Sequence, residues 1–397
     1  MIPAKRNPLM MPLLLAGLLL VSAAVQGQQQ PETTVLGTRM KMASKFLNEE
    51  REFIVTLPAG YENSQEKYPL LILLDSDSAA PATVMTAFLA RCGHIPPLIV
   101  VSVITPSPRH HYRDFTPIKV DYLPASGGAD NFLCFLNQEL IPLLESRYRC
   151  HPFRILSGHG LSGLFALYAL LTSPETAGAY LATSPSIAFA DHAILPLAKS
   201  KLAGIKRLAK FVFMAAGREK VTVPAIREWV AVLKANAPEG LEWQSRIVEE
   251  EDQGSIALIG FYQGIKALYA DWRFPAKLAG QGLPAIDRHC RMLSRKYGYE
   301  IAMNEDLLIK RSTQLFQEQD FEEALRMLDL GAAAYPESIP MRYWLGFVYE
   351  KLKDLGKAQD NYELAFQKAK AARHPMADFY GQQAARLAAK RREDKKL

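Results

Sequence analysis

Short apolar runs alternate with amphipathic segments through the first two thirds of the chain. The runs at 70–75 and 97–104 are hydrophobic at nearly every position, which is typical of strands covered on both faces. Further strands are predicted at 52–58, 154–157, 179–185, 211–217 and 243–248, and helices at 82–92, 131–147, 161–171, 193–208, 224–236 and 256–272. This alternation predicts an α/β fold: a mostly parallel sheet with helices on both faces and ligand sites beyond the carboxyl ends of its strands.

The segment 1–27 has the layout of a secretory signal peptide. Lys5 and Arg6 precede an apolar run at 8–25, and small and polar residues follow, which predicts cleavage after Ala24 or Gly27 and export to the periplasm or the exterior. A membrane anchor is the alternative, although Pro12 and Gly17 interrupt the run. No span is predicted in the chain after cleavage, and 28–51 is predicted to be a polar segment with little structure.

The last quarter of the chain changes to helix-forming residues with an internal repeat. Leu315, Ala324 and Leu328 correspond to Tyr349, Ala358 and Tyr362, a constant offset that matches the period of about 34 residues typical of tetratricopeptide repeats. We therefore predict an α/β domain at 52–275, a linker or packing helix at 276–303, repeats at 304–390 and a charged tail at 391–397. Such repeats present a surface for a protein partner. An unrelated helical hairpin is the alternative.

Composition narrows the functional class. An apolar share of 49% and a charged share of 22% are typical of a globular protein. The net charge of +6 is concentrated in the tail, and no basic stripe interleaved with aromatic residues occurs, so no nucleic-acid partner is predicted. Neither a cofactor nor a metal site is predicted.

The four cysteines, Cys92, Cys134, Cys150 and Cys290, either form one or two disulfides after export or remain small buried side chains.

The stretch 154–171 reads as a strand, a glycine-dense turn and a buried helix. This is the arrangement of a nucleophile elbow, in which a Ser occupies the turn. Here Gly160 occupies that position. Together with 68–75, 113–117, 127–136, 139–142 and 184–186, which occur in family order, this stretch resembles the esterase family of α/β-hydrolases, the group similar to enterochelin esterases and S-formylglutathione hydrolase. The resemblance covers 52–272 and implies an α/β-hydrolase fold.

The resemblance also implies where a catalytic triad would lie. The family elbow is Gly-His-Ser-Leu-Gly-Gly, so Gly160 replaces the nucleophile, while His159 is a family residue with a packing role. The family His corresponds to Gln253, which cannot act as a general base. Glu219 corresponds to the acid. An oxyanion hole would use the backbone N–H groups of Leu161 and of a residue just after Asp75, namely Ser76.

Three functions are compatible with these replacements. The first is a family member without catalysis, a binding or scaffold protein with a small ester-like or peptide ligand in its cleft. The second is an active carboxylic-ester hydrolase in which Ser162 is a displaced nucleophile. The base would then be His159 or one of the more distant histidines His110, His111 and His192. The third is a structural accessory whose cleft binds nothing.

Overall fold

The computed structural model of this protein describes residues 36–74, 76–275 and 277–394. From Gly37 onward the chain forms one compact unit. The predicted signal peptide lies outside the described residues, so the predictions of export and cleavage stay predictions. No helix in the described part of the chain is both long and apolar enough to cross a membrane.

An eight-stranded sheet forms the centre of the first domain. Its strands are β1 (Thr38–Ser44), β2 (Glu49–Thr56), β3 (Tyr68–Leu73), β4 (Ile99–Val103), β5 (Cys150–His159), β6 (Ala179–Thr183), β7 (Arg207–Ala216) and β8 (Glu239–Ile247). The spatial order is β1-β2-β4-β3-β5-β6-β7-β8. β1 and β2 pair in antiparallel fashion, β2 and β4 do the same, and all other pairs are parallel. The predicted α/β-hydrolase architecture is confirmed.

Helices cover both faces of this sheet. They are α1 (Ser76–Arg91), α2 (Pro108–Phe115), α3 (Ala129–Phe135), α4 (Ile141–Arg147), α5 (Leu161–Thr172), α6 (Ile194–Ala203), α7 (Thr222–Asn236) and α8 (Ile256–Leu268). A π-helical turn, Leu136–Leu140, joins α3 to α4. Leu70 and Ile72 are buried in the core on one face, and Leu71 and Leu73 in the core on the other. This two-sided burial explains why the strand is apolar throughout.

The N-terminal boundary of the sheet differs from the prediction. Residues 28–51 were expected to have little structure, but they contain β1 and the start of β2. β1 is an edge strand whose side chains are mostly exposed or half-buried, and such a strand needs no hydrophobic run. The segment between β4 and α3, for which no element was predicted before residue 131, likewise contains the helix α2.

The C-terminal region is entirely helical among its described residues. Its long helices are α9 (Leu283–Tyr297), α10 (Glu305–Gln317), α11 (Phe321–Ala334), α12 (Ile339–Lys351), α13 (Leu355–Ala371) and α14 (Ala377–Asp394). The start of α12 follows that of α10 by the same number of positions as the start of α13 follows that of α11. This offset equals the sequence period, while the assignment to tetratricopeptide repeats stays a prediction. Tyr297 of α9 packs on Phe153 of β5, with ring centroids 5.2 Å apart, and joins the helical region to the sheet.

The four cysteines form no disulfide, and only Cys290 is fully buried, while the other three are half-buried. All four are unpaired thiols. Burial raises the pKa of Cys150 and Cys290 to about 11, so both remain protonated at neutral pH.

Candidate active site

The turn between β5 and α5 has the backbone of a nucleophile elbow. Gly160 stands between the two elements with φ 63° and ψ −119°, a conformation that costs any residue with a Cβ atom. Its N–H donates to the carbonyl oxygen of Thr183 over 2.9 Å, and its own carbonyl accepts from the Ser186 N–H over 2.9 Å. The strained turn is therefore held in place from both sides without the side chain that it presents in a hydrolase.

The space in front of Gly160 is open to a side chain. A Cβ atom built on this residue would have the Oγ atom of Ser186 as its nearest neighbour, at 4.0 Å. By contrast, a Cβ atom on the preceding Gly158 would lie 2.4 Å from the carbonyl of Ser162. The surroundings thus exclude a side chain at Gly158, near the end of β5, but leave space for one at Gly160.

Ser162, the predicted alternative nucleophile, lies in the first turn of α5. Its side chain is fully buried. Its hydroxyl donates to the His159 carbonyl oxygen and accepts from the His159 N–H, both over 2.8 Å. Such short-range bonding is common for a Ser in the first turn of a helix. The hydroxyl thus stabilises the backbone of the elbow, and the role of Ser162 as an alternative nucleophile stays a prediction.

Three of the four histidines considered as alternative bases contact groups outside the elbow. His110 hydrogen-bonds through Nδ1 to the Ser107 hydroxyl over 2.7 Å, and its Nε2 lies 3.3 Å from Glu49. His111 packs edge-on against Phe115. His192 lies 3.1 Å from Glu228. His159 lines a small cavity of about 10 Å³ together with Gly158 and Thr183.

The acid of the expected triad is present but incompletely bonded. Oε1 of Glu219 accepts a hydrogen bond from the Ser184 hydroxyl. Oε2 is buried and has no hydrogen-bond partner among the described residues. In a working triad the acid receives the imidazole N–H and orients the ring. Ser184 is a site residue that the sequence interpretation missed, although it begins the family-like segment 184–186.

The loop at the position of the catalytic His is ordered and adjoins the acid loop. Gln253 is exposed in a turn. Next to it, Oδ1 of Asp252 accepts from the N–H groups of Gly254 and Ser255, both over 3.0 Å. These backbone bonds hold the pKa of Asp252 below its usual value. The Arg218 N–H donates to the Glu251 carbonyl over 3.0 Å, so the two loops that would carry the acid and the His are joined.

The predicted oxyanion hole is described only in part. Leu161 begins α5 directly after the elbow and is half-buried, and its role in an oxyanion hole stays a prediction. Asp75 lies outside the described residues. Ser76 begins α1, but its side chain is also outside them. No cluster of metal-ligating side chains occurs within the described ranges.

A charged network that the sequence interpretation did not foresee anchors α2 to the sheet. The buried Arg51 of β2 bonds Asp114 of α2 over 2.5 Å, and neither side chain is exposed. Arg113 bonds both carboxylate oxygens of Glu49 over 2.6 and 3.0 Å. Arg113 and Asp114 belong to a segment that resembles the family. Their partners Glu49 and Arg51 lie on β2, more than 60 positions earlier in the sequence, so the sequence alone does not indicate the pairing.

This network predicts a pH dependence of stability. The Arg113 guanidinium, and to a lesser extent Arg51, lower the pKa of Glu49 from 4.5 to about 2. The folded state therefore binds a proton less readily than the unfolded state, and the stabilisation is complete above about pH 4.5 and is lost as the pH falls toward 2. The difference in unfolding free energy between the unaltered chain and Glu49→Gln is expected to shrink over that window, as measured by urea denaturation from pH 7 to pH 3.

A matched control uses the neighbouring carboxylate. Glu50 pairs with the exposed Lys41 on the outer strand, so Glu50→Gln removes a charge from the same strand without touching Arg113. Its effect should be small at every pH, because exposed ion pairs contribute little. A Glu49→Gln effect that is equally large at pH 7 and pH 3 would contradict the assignment.

Comparison with known proteins places these features in a family. Residues 44–238 match the family model described as "Putative esterase". The chain is 32% identical over 181 residues to the ferri-bacillibactin esterase BesA of Bacillus subtilis, covering 39% of this chain and 60% of the relative. It is 39% identical over 112 residues to the siderophore enterobactin esterase of Emericella nidulans, covering 25% of this chain and 37% of the relative. The chain therefore spans less than two thirds of the length of either curated relative.

A solved structure has a similar fold. The IroE-like serine hydrolase of Shewanella oneidensis superposes with a TM-score of 0.66 at 26% identity, and the match covers 75% of this chain and 99% of that chain.

Proposed function

Because this chain belongs to the esterase family of α/β-hydrolases, we propose that it binds an ester ligand at the elbow and does not hydrolyse it. The observation that carries the proposal is Gly160, which holds the strained nucleophile conformation without a nucleophilic atom. A hydrolase of this fold needs a Ser, a His and an acid acting together. This chain keeps the acid alone.

Two further observations support the loss of catalysis. Oε2 of Glu219 has no hydrogen-bond partner in the part of the chain that the structure describes. Gln253, which stands where the family has its His, cannot titrate near neutral pH. The alternative with a displaced nucleophile is disfavoured because Ser162 is buried and its hydroxyl is bonded to the elbow backbone.

The ligand class comes from the relatives. Two similar proteins are named as esterases of siderophores, so we propose a siderophore ester as the ligand. The proposal includes export through the segment 1–27 and a protein partner on the helical region 304–390. Neither is needed for the binding step at the elbow.

The test is a parallel measurement of binding and hydrolysis. The purified chain is titrated with enterobactin and with ferri-bacillibactin by calorimetry, and the same mixtures are analysed for hydrolysis products by chromatography. We expect saturable binding of at least one siderophore and no product above the protein-free control. Product formation that Ser162→Ala abolishes would establish the displaced nucleophile instead. Absence of binding to both would favour the structural accessory.

A pair of variants locates the binding. Ser186 has the Oγ atom nearest to the open space at Gly160, so Ser186→Trp is expected to lower the affinity by about tenfold or more, or about 1.4 kcal/mol. Ser200→Trp places the same side chain on an exposed position of α6 and should leave the affinity unchanged. Equal affinities for the two variants would place the ligand elsewhere on the molecule.

A further inference from the structure

A large cavity lies at the edge of the sheet opposite the elbow. It has a volume of about 640 Å³ and lies between the amino ends of the parallel strands and the helix α10. Tyr68 begins β3, Pro97 precedes β4, and His151 is the second residue of β5; all three line the cavity. Ligand sites of this fold lie at the carboxyl ends of the strands, so this cavity is separate from the elbow. Its volume is in the range of small-molecule sites.

The charge of one buried arginine has no acidic partner in the wall of this cavity. Arg311 of α10 is 5% exposed. Its Nη2 donates to the Trp272 carbonyl oxygen over 2.5 Å, and its Nη1 to the Gln314 side-chain oxygen over 3.0 Å. Both acceptors are neutral, and no carboxylate in the described part of the chain forms an ion pair with it. The rings of Trp272 and Phe274 lie 5.2 and 4.9 Å from its guanidinium carbon.

Burial of such a charge is costly unless an anion accompanies it. Desolvation lowers the pKa of Arg311 to about 10, which still leaves it charged at neutral pH. The two aromatic rings offset part of the cost through cation–π attraction. An anion in the cavity would offset more, because a buried charge is stabilised most by a paired and hydrogen-bonded opposite charge.

The rest of the wall is balanced in charge and rich in flat, apolar surface. His151 stacks on Tyr299 with ring centroids 3.8 Å apart and an interplanar angle of 18°. Burial lowers the pKa of His151 to about 4, so it is neutral at pH 7. The remaining charged lining residues are three cations and three acids: Lys67, Arg91 and Lys310, with Glu66, Glu300 and Asp306. Their charges cancel, which leaves the single positive charge of Arg311.

We propose that this cavity binds a small monoanionic carboxylate with an aromatic body. The carboxylate would pair with Arg311, and the aromatic body would lie against the apolar wall that contains Trp272 and the His151–Tyr299 pair. A dianion fits less well, because one net positive charge neutralises one negative charge. The same ligand would stabilise the packing of α10 on the hydrolase-like domain, since both contribute to the wall and a ligand stabilises the state that binds it.

The test uses a matched pair of probes with the full chain. 4-Phenylbutyrate and its neutral amide, 4-phenylbutyramide, have the same aromatic body and differ in charge, so calorimetric titration of each isolates the contribution of the anion. We expect the carboxylate to bind about tenfold more tightly than the amide and to raise the melting temperature. Equal affinities, or no binding of either, would overturn the proposal. Phenyl phosphate is a third probe, and tighter binding of this dianion would overturn the assignment to a carboxylate.

Three variants locate the binding of 4-phenylbutyrate. Arg311→Met is expected to abolish the preference for the carboxylate over the amide. Ala302→Trp keeps Arg311 and fills the cavity from an exposed lining position, so it is expected to abolish binding even if Arg311→Met does not fold. The matched control is Arg291→Met, which removes an exposed arginine of α9 outside the cavity. Undiminished binding to Ala302→Trp would overturn the proposal whatever the other variants show.

Discussion

The double variant Gly160→Ser, Gln253→His is expected to hydrolyse esters at least about 10³-fold faster than the unaltered chain. The reason is that, on the proposed function, the change supplies a Ser and a His at the positions where the family resemblance places them, beside Glu219 at the position of the acid. In a serine protease, loss of the Ser or the His alone costs about 10⁶ in turnover, so restoring both offers a large gain. We expect less than the full factor, because the loop at 251–255 has not been selected to orient an imidazole. The measurement is the steady-state hydrolysis of a short-chain p-nitrophenyl ester.

The elbow favours the first of these two replacements. The new Cβ atom would have the Ser186 Oγ atom as its nearest neighbour, at 4.0 Å. The backbone already has φ 63° and ψ −119°, and a residue other than Gly pays about 1–3 kcal/mol to occupy a sparsely populated region of this kind. Hydrolases with this elbow bear such strain at the nucleophile. We therefore expect some loss of stability but a folded protein.

The single variants are informative because members of a triad act as a unit. Gly160→Ser without an imidazole, and Gln253→His without a nucleophile, should each remain near the activity of the unaltered chain. A matched control, Gly160→Ala with Gln253→His, carries the same backbone strain without the hydroxyl and should also be inactive. Adding Glu219→Gln to the active double variant should lower its turnover, since Oε2, which lacks a partner among the described residues, is the atom expected to receive the imidazole N–H.

An inactive double variant would also give a clear conclusion. If it folds, as judged by circular dichroism, and still shows no more hydrolysis than the alanine control, then the loop that carries residue 253 does not bring an imidazole to the elbow. The proposed retention of a triad geometry around Gly160 would then be wrong. Binding of the siderophore probes is a separate measurement and would not be affected by that outcome.

Local pattern was sufficient for the central sheet but not for its edge. β3 and β4 are buried on both faces and therefore had to be apolar at nearly every position, which made them visible in the sequence. β1 is stabilised by its backbone pairing with β2, from Thr38 opposite Val55 to Ser44 opposite Glu49. Backbone hydrogen bonds leave no residue-type signal of this kind, so a polar strand reads as a polar linker.

The sequence indicated the site residues that are recognised by their type. It did not indicate the contacts between residues that are distant in sequence. Gly160 and Gln253 stand out because they occupy positions at which the family resemblance implies a Ser and a His. The hydrogen bond between Ser184 and Glu219 joins two loops, and the pair of Arg51 and Asp114 joins β2 to α2 across 63 positions of sequence. No spacing rule connects such residues, because the fold alone brings them together.

Replacing Asp114 by Ala is expected to lower the free energy of unfolding by about 3–5 kcal/mol, which is the usual cost of breaking a buried ion pair by removing one partner. Arg51 and Asp114 are both fully buried, and Nη1 of Arg51 lies 2.5 Å from Oδ2 of Asp114. Without the carboxylate, the remaining ion pair of Arg51 is a longer contact of 3.1 Å to Glu49. Urea denaturation at pH 7 measures the loss. Asp121→Ala, at an exposed position in the loop after α2, is the matched control and should change stability by less than about 0.5 kcal/mol.

Comparing the double variant of Arg51 and Asp114 with the two single variants distinguishes a lost ion pair from a lost packing contact. Arg51 also lies 5.4 and 5.9 Å from the ring centroids of Phe132 and Phe135, so an apolar replacement has suitable neighbours. Each single variant removes the closest ionic partner of a buried charge, although Arg51 keeps Glu49 and Asp114 keeps Arg113. If that loss is the main cost, Arg51→Met combined with Asp114→Leu should cost clearly less than the sum of the two single losses. If the losses add instead, the two side chains contribute separately through packing, and the ion pair is not what anchors α2 to β2.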